Sequence, residues 1–272
     1  MLYVNTSSDN NLFQTCLIHG IPVNISTPEQ ALVEVETLVN LKQPHYVCFF
    51  EGNLFARALR ERDVHDVISQ AALIYPDGII ISKEMKWKLK KKVSRVSGPS
   101  FLLNTCEYGL KQHWRHFFIG GADGVAERLV CNLRERFPGI QIAGFYTPPF
   151  RELTEEEELQ IKNTIEDNHA DLLWVGLGGP KQEFWMKNHL GKINVPVMLG
   201  IGAAFDFHSG NRSWAPPFIR EIGLEWLYRL LTNWNKMFIR VFKAIYVLLP
   251  VLIIDYIKSF VCRPQLRKTH RP

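Results

Sequence analysis

The sequence predicts an α/β chain: a Rossmann-like doubly wound, mostly parallel sheet over residues 1–210, followed by a helical appendage over residues 211–272. Three observations carry this. Short apolar runs alternate with longer stretches of helical period. Several of the apolar runs end in glycine turns, GGADG, GGPKQE and GIGAAFD, that lead into helices. After Arg212 the strand signals stop, and aromatic residues with spaced cations follow. Strands that turn through glycine into helices imply a sheet covered on both faces.

In chain order, STPEQALVEVETLVN predicts a helix, with Ser26 or Thr27 as N-cap, Pro28 in its first turn and Ala31, Leu32, Val35, Leu38 and Val39 on one face. HYVCFF reads as a strand and LFARALRERDVHDVISQA as a helix. ALIYPDGIIIS is a buried strand region that ends or turns at Asp77 and Gly78. RHFFIGG is the next strand, GVAERLVCNLRERF the next helix, and IQIAGFY a short strand. Thr154 with Glu157 forms a capping box, so the adjacent glutamate run is the solvated first turn of a helix. ADLLWVGLG and VPVMLGIG complete the strands, running into GGPKQEFWMKNHL and AAFDFHSG.

Composition narrows the class. At 272 residues, 46% hydrophobic and 22% charged, the chain is a globular protein able to bury a large core. Its five cysteines are odd in number and show no CxxC spacing, which argues against a disulfide framework or structural zinc and for a reducing compartment. MLYVNTSSDNN is not a signal peptide, so the chain is expected in the cytoplasm. The net charge of +5 is concentrated: residues 236–272 carry eight Lys/Arg against Asp255, and residues 83–95 carry seven against Glu84. Two basic patches on an acidic body point to a local anionic partner, a phosphate or a lipid headgroup, and not to a nucleic-acid-coating protein.

Ligands of doubly wound sheets bind outside the carboxyl ends of the strands. That rule puts Asp77, GGADG, GGPKQE and GAAFD on one rim. Asp77 is the only charge in a long apolar run, which makes it turn punctuation or an acid or base at a site. Gly120, Gly121 and Gly124 with the helix start behind them suit a diphosphate, or are simply a tight turn. Lys181, Gln182 and Glu183 are helix-start residues or sugar ligands. Asp206 is a hydrogen-bonded turn acid, or half of a metal pair with His208 that lacks a third ligand. In the appendage, the apolar run from Ala244 to Ile254 is 11 residues, short of the ~20 needed to span a bilayer. With Lys243, Lys258, Arg263, Arg267 and Lys268 around it, it reads as a segment lying on an anionic membrane surface, with a short span or a packed helix as alternatives. Its exposed apolar face would also permit a homo-oligomer.

PDG (76–78), GGADGVAERL, GLGGPKQEFW, GIGAAFDFHSG and GLEWLYRLL occur in the order and spacing of one family. Over roughly residues 20–240 the chain resembles the WecG/TagA/CpsF glycosyltransferases. The resemblance implies an inverting enzyme, peripheral on the inner face of the bacterial cell membrane. Such enzymes move a hexose from a UDP-sugar to a polyprenyl-diphosphate-linked saccharide in exopolysaccharide or cell-surface glycan synthesis. Glucose, galactose, N-acetylmannosamine and its uronic acid all remain possible sugars. The family's base falls on Asp77, an active-site arginine on Arg95, and its polar pair on Gln182 and Glu183. Its C-terminal cations match Arg229 directly, with Lys236 and Arg240 approximating the rest. The chain departs from the family in three places. FFEGN replaces a Thr-x-Asn stretch, leaving Glu51 or Asn53 to take over or a different acceptor to be used; Ser100 stands where the family has an acid; Trp214-Ala215-Pro216 replaces Arg-Ala-Pro.

The chain contains no Asp-x-Asp, so a diphosphate held by Arg/Lys and a helix N-terminus is expected, without a metal cofactor. Arg229, Lys236 and Arg240, spaced seven and four apart, are expected on one helical face, turned to that diphosphate or to lipid headgroups. Two other classes compete. A dinucleotide-dependent oxidoreductase would use GGADG, but FPGIQIAGFY lacks the acid expected about 20 residues on. A non-catalytic membrane adaptor would bind anionic lipid through its tail and show no UDP affinity.

Overall fold

A computed structural model describes residues 13–151, 153–232 and 234–261. A hairpin opens the chain: β1 (Thr15–Ile18) and β2 (Ile21–Asn24) pair antiparallel. Six further strands form the sheet: β3 (His45–Phe50), β4 (Leu73–Pro76), β5 (Arg115–Gly120), β6 (Gln141–Tyr146), β7 (Leu172–Gly176) and β8 (Val197–Gly200). Their order is β4-β3-β8-β7-β5-β6. Every pairing within it is parallel.

The central strands are apolar along their length because helices cover both faces, so no alternation marks an outer side. Trp174, Phe117, Phe118 and Tyr46 are all fully buried. The hairpin, which no sequence signal announced, guards one edge: Asn24 Oδ1 accepts from the Ile74 N–H of edge strand β4 at 2.8 Å. That bond satisfies a backbone group that would otherwise be open to strand addition.

The two helices with predicted caps start at them. In α1 (Pro28–Leu41), Thr27 is the N-cap and shares a capping box with Gln30, while the Ser26 hydroxyl donates instead to Glu34 at 2.6 Å. Thr154 and Glu157 cap α7 (Glu155–Asp167) in the same way. The expected helix over residues 54–71 is two: α2 (Gly52–Ala58) and α3 (Arg62–Ser69). The turn between them is closed by Arg60 and Glu61 N–H groups on the Arg57 carbonyl and by an Arg57–Glu61 ion pair.

The apolar IIIS run is not strand. It opens α4 (Ile79–Leu89), because the N–H groups of Asp77 and Gly78 both turn back to the Phe50 carbonyl and end the ladder. Next come α5 (Gly98–Gln112), α6 (Val125–Arg136), α8 (Lys181–His189) and α9 (Ala204–His208).

The appendage consists of α10 (Pro217–Glu221), α11 (Glu225–Thr232) and α12 (Trp234–Val261). Among the described residues no helix is long and apolar enough to cross a membrane. One stripe of α12 packs on the body: Leu248 is buried with Leu54 and Phe55 of α2, and Ala244, Val247 and Leu252 lie against the same cluster. The other stripe, including Phe238, Phe242, Tyr246 and Leu249, is exposed.

Candidate active site

Asp77 is the first residue past β4, and its surroundings fix where its carboxylate points. The turn is pinned to β3 through the Phe50 carbonyl, which accepts from Asp77 and Gly78 at 3.1 and 3.3 Å. The Pro76 carbonyl accepts from Val96 N–H at 3.0 Å, which brings residues 95–97 alongside. Gly78 is needed here, because a Cβ would sit 3.1 Å from Gly52 N and 3.3 Å from Glu51 Cα. Asp77 Oδ2 lies 3.7 Å from the Cβ position of Gly98, the first residue of α5. The carboxylate is therefore at a helix N-terminus, where anions are favoured.

Burial pushes the Asp77 carboxyl up to about 6, and Glu225 adds to the rise. Arg95, a hydrogen bond from Ser97 and Arg229 pull the other way. A carboxylate poised there is ionised at neutral pH yet far more basic than an ordinary aspartate.

Glu225 and Arg229 reach this rim because the appendage folds back over it. Gly223 holds φ at +78°, and a Cβ there would overlap Ile79 Cδ1 at 1.9 Å, so the chain before α11 lies directly on the start of α4. Arg229 Nη2 pairs with Glu225 at 3.0 Å, and its guanidinium sits 4.7 Å over the Phe207 ring. Arg220 stacks 3.6 Å over the Trp214 ring. The Nε atoms of both arginines are buried without a hydrogen-bond partner. Burial and the Arg95 charge lower the Arg220 pKa.

Arg95 and Arg229 thus lie beside Asp77, and Arg220 joins the group through Arg95 and Glu225. That arrangement can hold a polyanion next to a base. Arg220 and Glu225 were missed from sequence. The available signal was that Arg220 and Arg229 are the only cations between Arg212 and Lys236. The three C-terminal cations do not share one helix: Arg229 is on α11, whereas Lys236 and Arg240 are on α12 with side chains outside the described residues.

The glycine turns share the rim for steric reasons that are visible here. Gly120 has φ +129°, and its Cβ would lie 2.6 Å from the carbonyl of Gly176 on β7. Gly121 N–H donates to that carbonyl at 3.3 Å, so the ends of β5 and β7 nearly touch. β5 leads to β6 on one side and β7 to β8 on the other, so the loops diverge there, as ligand crevices in such sheets require. Gly124, at φ +72°, is the N-cap of α6, with no side chain capping that end.

Gln182 ties the β7–α8 turn together: its Oε1 accepts from Gly178 N–H at 3.2 Å, and its Nε2 donates to Glu183 at 2.9 Å. Glu183 is fully buried, and its Oε2 has no hydrogen-bond partner. Burial drives its carboxyl up to about 7, opposed mainly by the Gln182 hydrogen bond.

The remaining expected residues have structural partners. Glu51 caps α2, accepting from the N–H groups of Asn53 and Leu54 at 3.0 and 3.1 Å. Asn53 lies in the first turn of that helix, close to the rim. Asp206 accepts from Asn211 at 2.7 Å and pairs with Arg212 at 3.2 Å, the geometry of a turn acid. His208 is engaged by the Pro99 carbonyl at 2.7 Å and does not join Asp206 in a metal site. A surface hollow lined by Lys42, Pro44, Lys162, Glu166 and Asn194 opens at the amino ends of β3 and β8, the opposite end of the sheet. Its acid, Glu166, is engaged by Asn194 N–H at 3.0 Å and Lys162 at 3.9 Å, so it offers no counterpart to the Asp77 rim.

A doubly wound sheet with a poised carboxylate and clustered guanidinium groups at its carboxyl rim suits an α/β group-transfer enzyme. Residues 16–260 match the glycosyl transferase WecG/TagA/CpsF family, and the chain belongs to it. Similar proteins include two N-acetylglucosaminyldiphosphoundecaprenol N-acetyl-beta-D-mannosaminyltransferases from Bacillus. The one from Bacillus spizizenii is 33% identical over 174 residues, 63% of this chain and 66% of the relative. The one from Bacillus subtilis is 27% identical over 235 residues, 82% of this chain and 87% of the relative. A protein of the same name from Staphylococcus aureus is 28% identical over 172 residues, 63% of this chain and 66% of the relative.

Proposed function

We propose that this chain transfers a hexose, N-acetylmannosamine or a close relative, from a UDP-sugar to a polyprenyl-diphosphate-linked saccharide, with inversion at the anomeric carbon. The observation that carries this is the Asp77 carboxylate, raised to about 6 and set beside Arg95 and Arg229. The names of the relatives support a lipid-diphosphate acceptor and a mannosaminyl group.

In this reading Asp77 takes the proton of the acceptor hydroxyl as its oxygen attacks the anomeric carbon. The bond from that carbon to the diphosphate breaks, and UDP leaves with the electron pair. Arg95, Arg220 and Arg229 stabilise the growing charge on the diphosphate, which needs no metal in this scheme. The Gly120–Gly124 turn and the N-terminus of α6 lie on the same rim and suit a phosphate. Gln182 and Glu183, both buried, brace the glycine turn on the sugar's side of the rim.

Glu51, where the family has Thr-x-Asn, leaves the acceptor contact on that side to Asn53. The exposed apolar stripe of α12 with the basic C-terminal segment fits peripheral attachment to an anionic membrane, where a polyprenyl acceptor resides. The direct test measures UDP release from UDP-N-acetylmannosamine with a short lipid-diphosphate N-acetylglucosamine. Wild type turns over and Asp77→Asn does not, while binding UDP-sugar within a few-fold of wild type. An active Asp77→Asn enzyme removes Asp77 from the role of base.

A further inference from the structure

Away from the rim, farther along α4, three side chains from distant segments converge. His19 lies in the β1–β2 turn at φ +48°, Glu84 is on α4, and Asp255 is the only acid of α12. His19 Nε2 is 2.7 Å from Asp255 Oδ2 and 3.6 Å from Glu84 Oε1. One ligating atom from each residue lies within 4.8 Å of the other two. Glu84 is 4% exposed. Its Oε1 meets Lys88 Nζ at 2.9 Å, but its Oε2 has no hydrogen-bond partner. A carboxylate buried with a bare oxygen is costly unless a further cation or donor completes it. The imidazole is also held in place, with its ring centroid 5.5 Å from that of Phe55 and the His19 carbonyl in contact with His65 Nε2 at 3.2 Å.

We infer that His19, Glu84 and Asp255 form a divalent-cation site that fastens α12 to the hairpin and α4. One imidazole and two carboxylates suit a borderline ion such as Zn²⁺ better than Mg²⁺ or Ca²⁺, which prefer all-oxygen shells. Loading replaces the proton shared between His19 Nε2 and Asp255 and releases it to solvent. Two ligands of a tetrahedral zinc stand about 3.3 Å apart, so the His19–Asp255 contact opens by a few tenths of an ångström. Lys88, on a flexible side chain one third exposed, turns outward as the ion takes its place beside Glu84. Nothing in this depends on the transfer reaction, because the ion ties an element in place and does not touch the Asp77 rim.

The test uses the untagged full chain, stripped with a chelator and titrated near neutral pH. Zn²⁺ is followed by calorimetry and Co²⁺ by its visible d–d absorption. Wild type should bind one ion per chain, and His19→Ala and Asp255→Asn should each bind about tenfold or more weakly. Zn²⁺ should slow proteolysis near the end of α12 in wild type and not in Asp255→Asn. If His19→Ala fails to fold, Asp255→Asn alone decides. Absence of stoichiometric binding by wild type, or equal binding by a folded Asp255→Asn, leaves only a salt-bridge triad and overturns the site.

Discussion

Asp77 and Glu183 are both carboxyl groups held against their own desolvation, and the two make opposite predictions for activity and stability. A base must be ionised to work, so kcat/KM should fall about tenfold per pH unit below about 6, where Asp77 becomes protonated. An unshifted profile extending to pH about 4 would assign the base elsewhere.

Stability runs in the other direction. The folded carboxyl of Glu183 titrates at about 7 against an ordinary value of 4.5, so between these pH values the folded state keeps a proton that the unfolded chain has lost. Stability is then fully present below the lower value and lost as pH rises through the upper one. Glu183→Gln should therefore raise the thermal midpoint above wild type at pH about 8, with the difference vanishing near pH about 4. A Gln variant that melts below wild type at the higher pH would contradict the burial argument. Asp77 was legible from sequence because a lone charge in an apolar run is conspicuous. Arg220 and Glu225 were not, because each looks like an ordinary surface residue until α10 and α11 lie over the rim.

At the scale of elements, the junction of α11 with α4 is the most sensitive joint. Gly223→Ala puts a Cβ into Ile79 at a left-handed φ, so it should lift α11 and carry Arg229 away from Asp77. Transfer is expected to fall by an order of magnitude or more, while the far-UV spectrum and the melting of the sheet stay near wild type. Unchanged turnover would show that α11 is not needed where it sits. Thr154→Ala, by contrast, removes one half of a capping box on α7, which follows β6 at the sheet edge opposite β4 and Asp77. It should cost about 1 kcal/mol in denaturant unfolding and leave turnover unaltered. The helix caps at α1 and α7 and the glycine turns were readable because a few neighbouring residues set them. The start of α4 was not, since IIIS suits a buried strand as well as a buried helix and only the Phe50 carbonyl decides between them.

For the whole molecule, α12 presents two apolar stripes, one against α2 and one outward. An outward apolar stripe beside basic residues should bind anionic vesicles, with affinity falling as salt rises. Tyr246→Asp, at a position 76% exposed, should reduce co-sedimentation with anionic vesicles without altering the melt of the body. Retention equal to wild type would move the contact elsewhere. Leu248→Ala affects the inner stripe, where the side chain is 2% exposed, and should destabilise by about 2–5 kcal/mol or free α12 to protease.

The sequence by itself determined the α/β class, the six strands of the main sheet, the capped starts of α1 and α7, the rim on which Asp77 sits, and the family. Each of these rests on periodicity, caps or short motifs within a few residues of one another. Tertiary structure alone decided that a hairpin would guard β4, that Glu51 would be tied up capping α2, and that Arg220 and Glu225 would join Asp77. It also decided that His19, Glu84 and Asp255 would meet. These depend on contacts between segments far apart in the chain, where the packing of α10–α12 onto the body selects the partners and no local pattern encodes them.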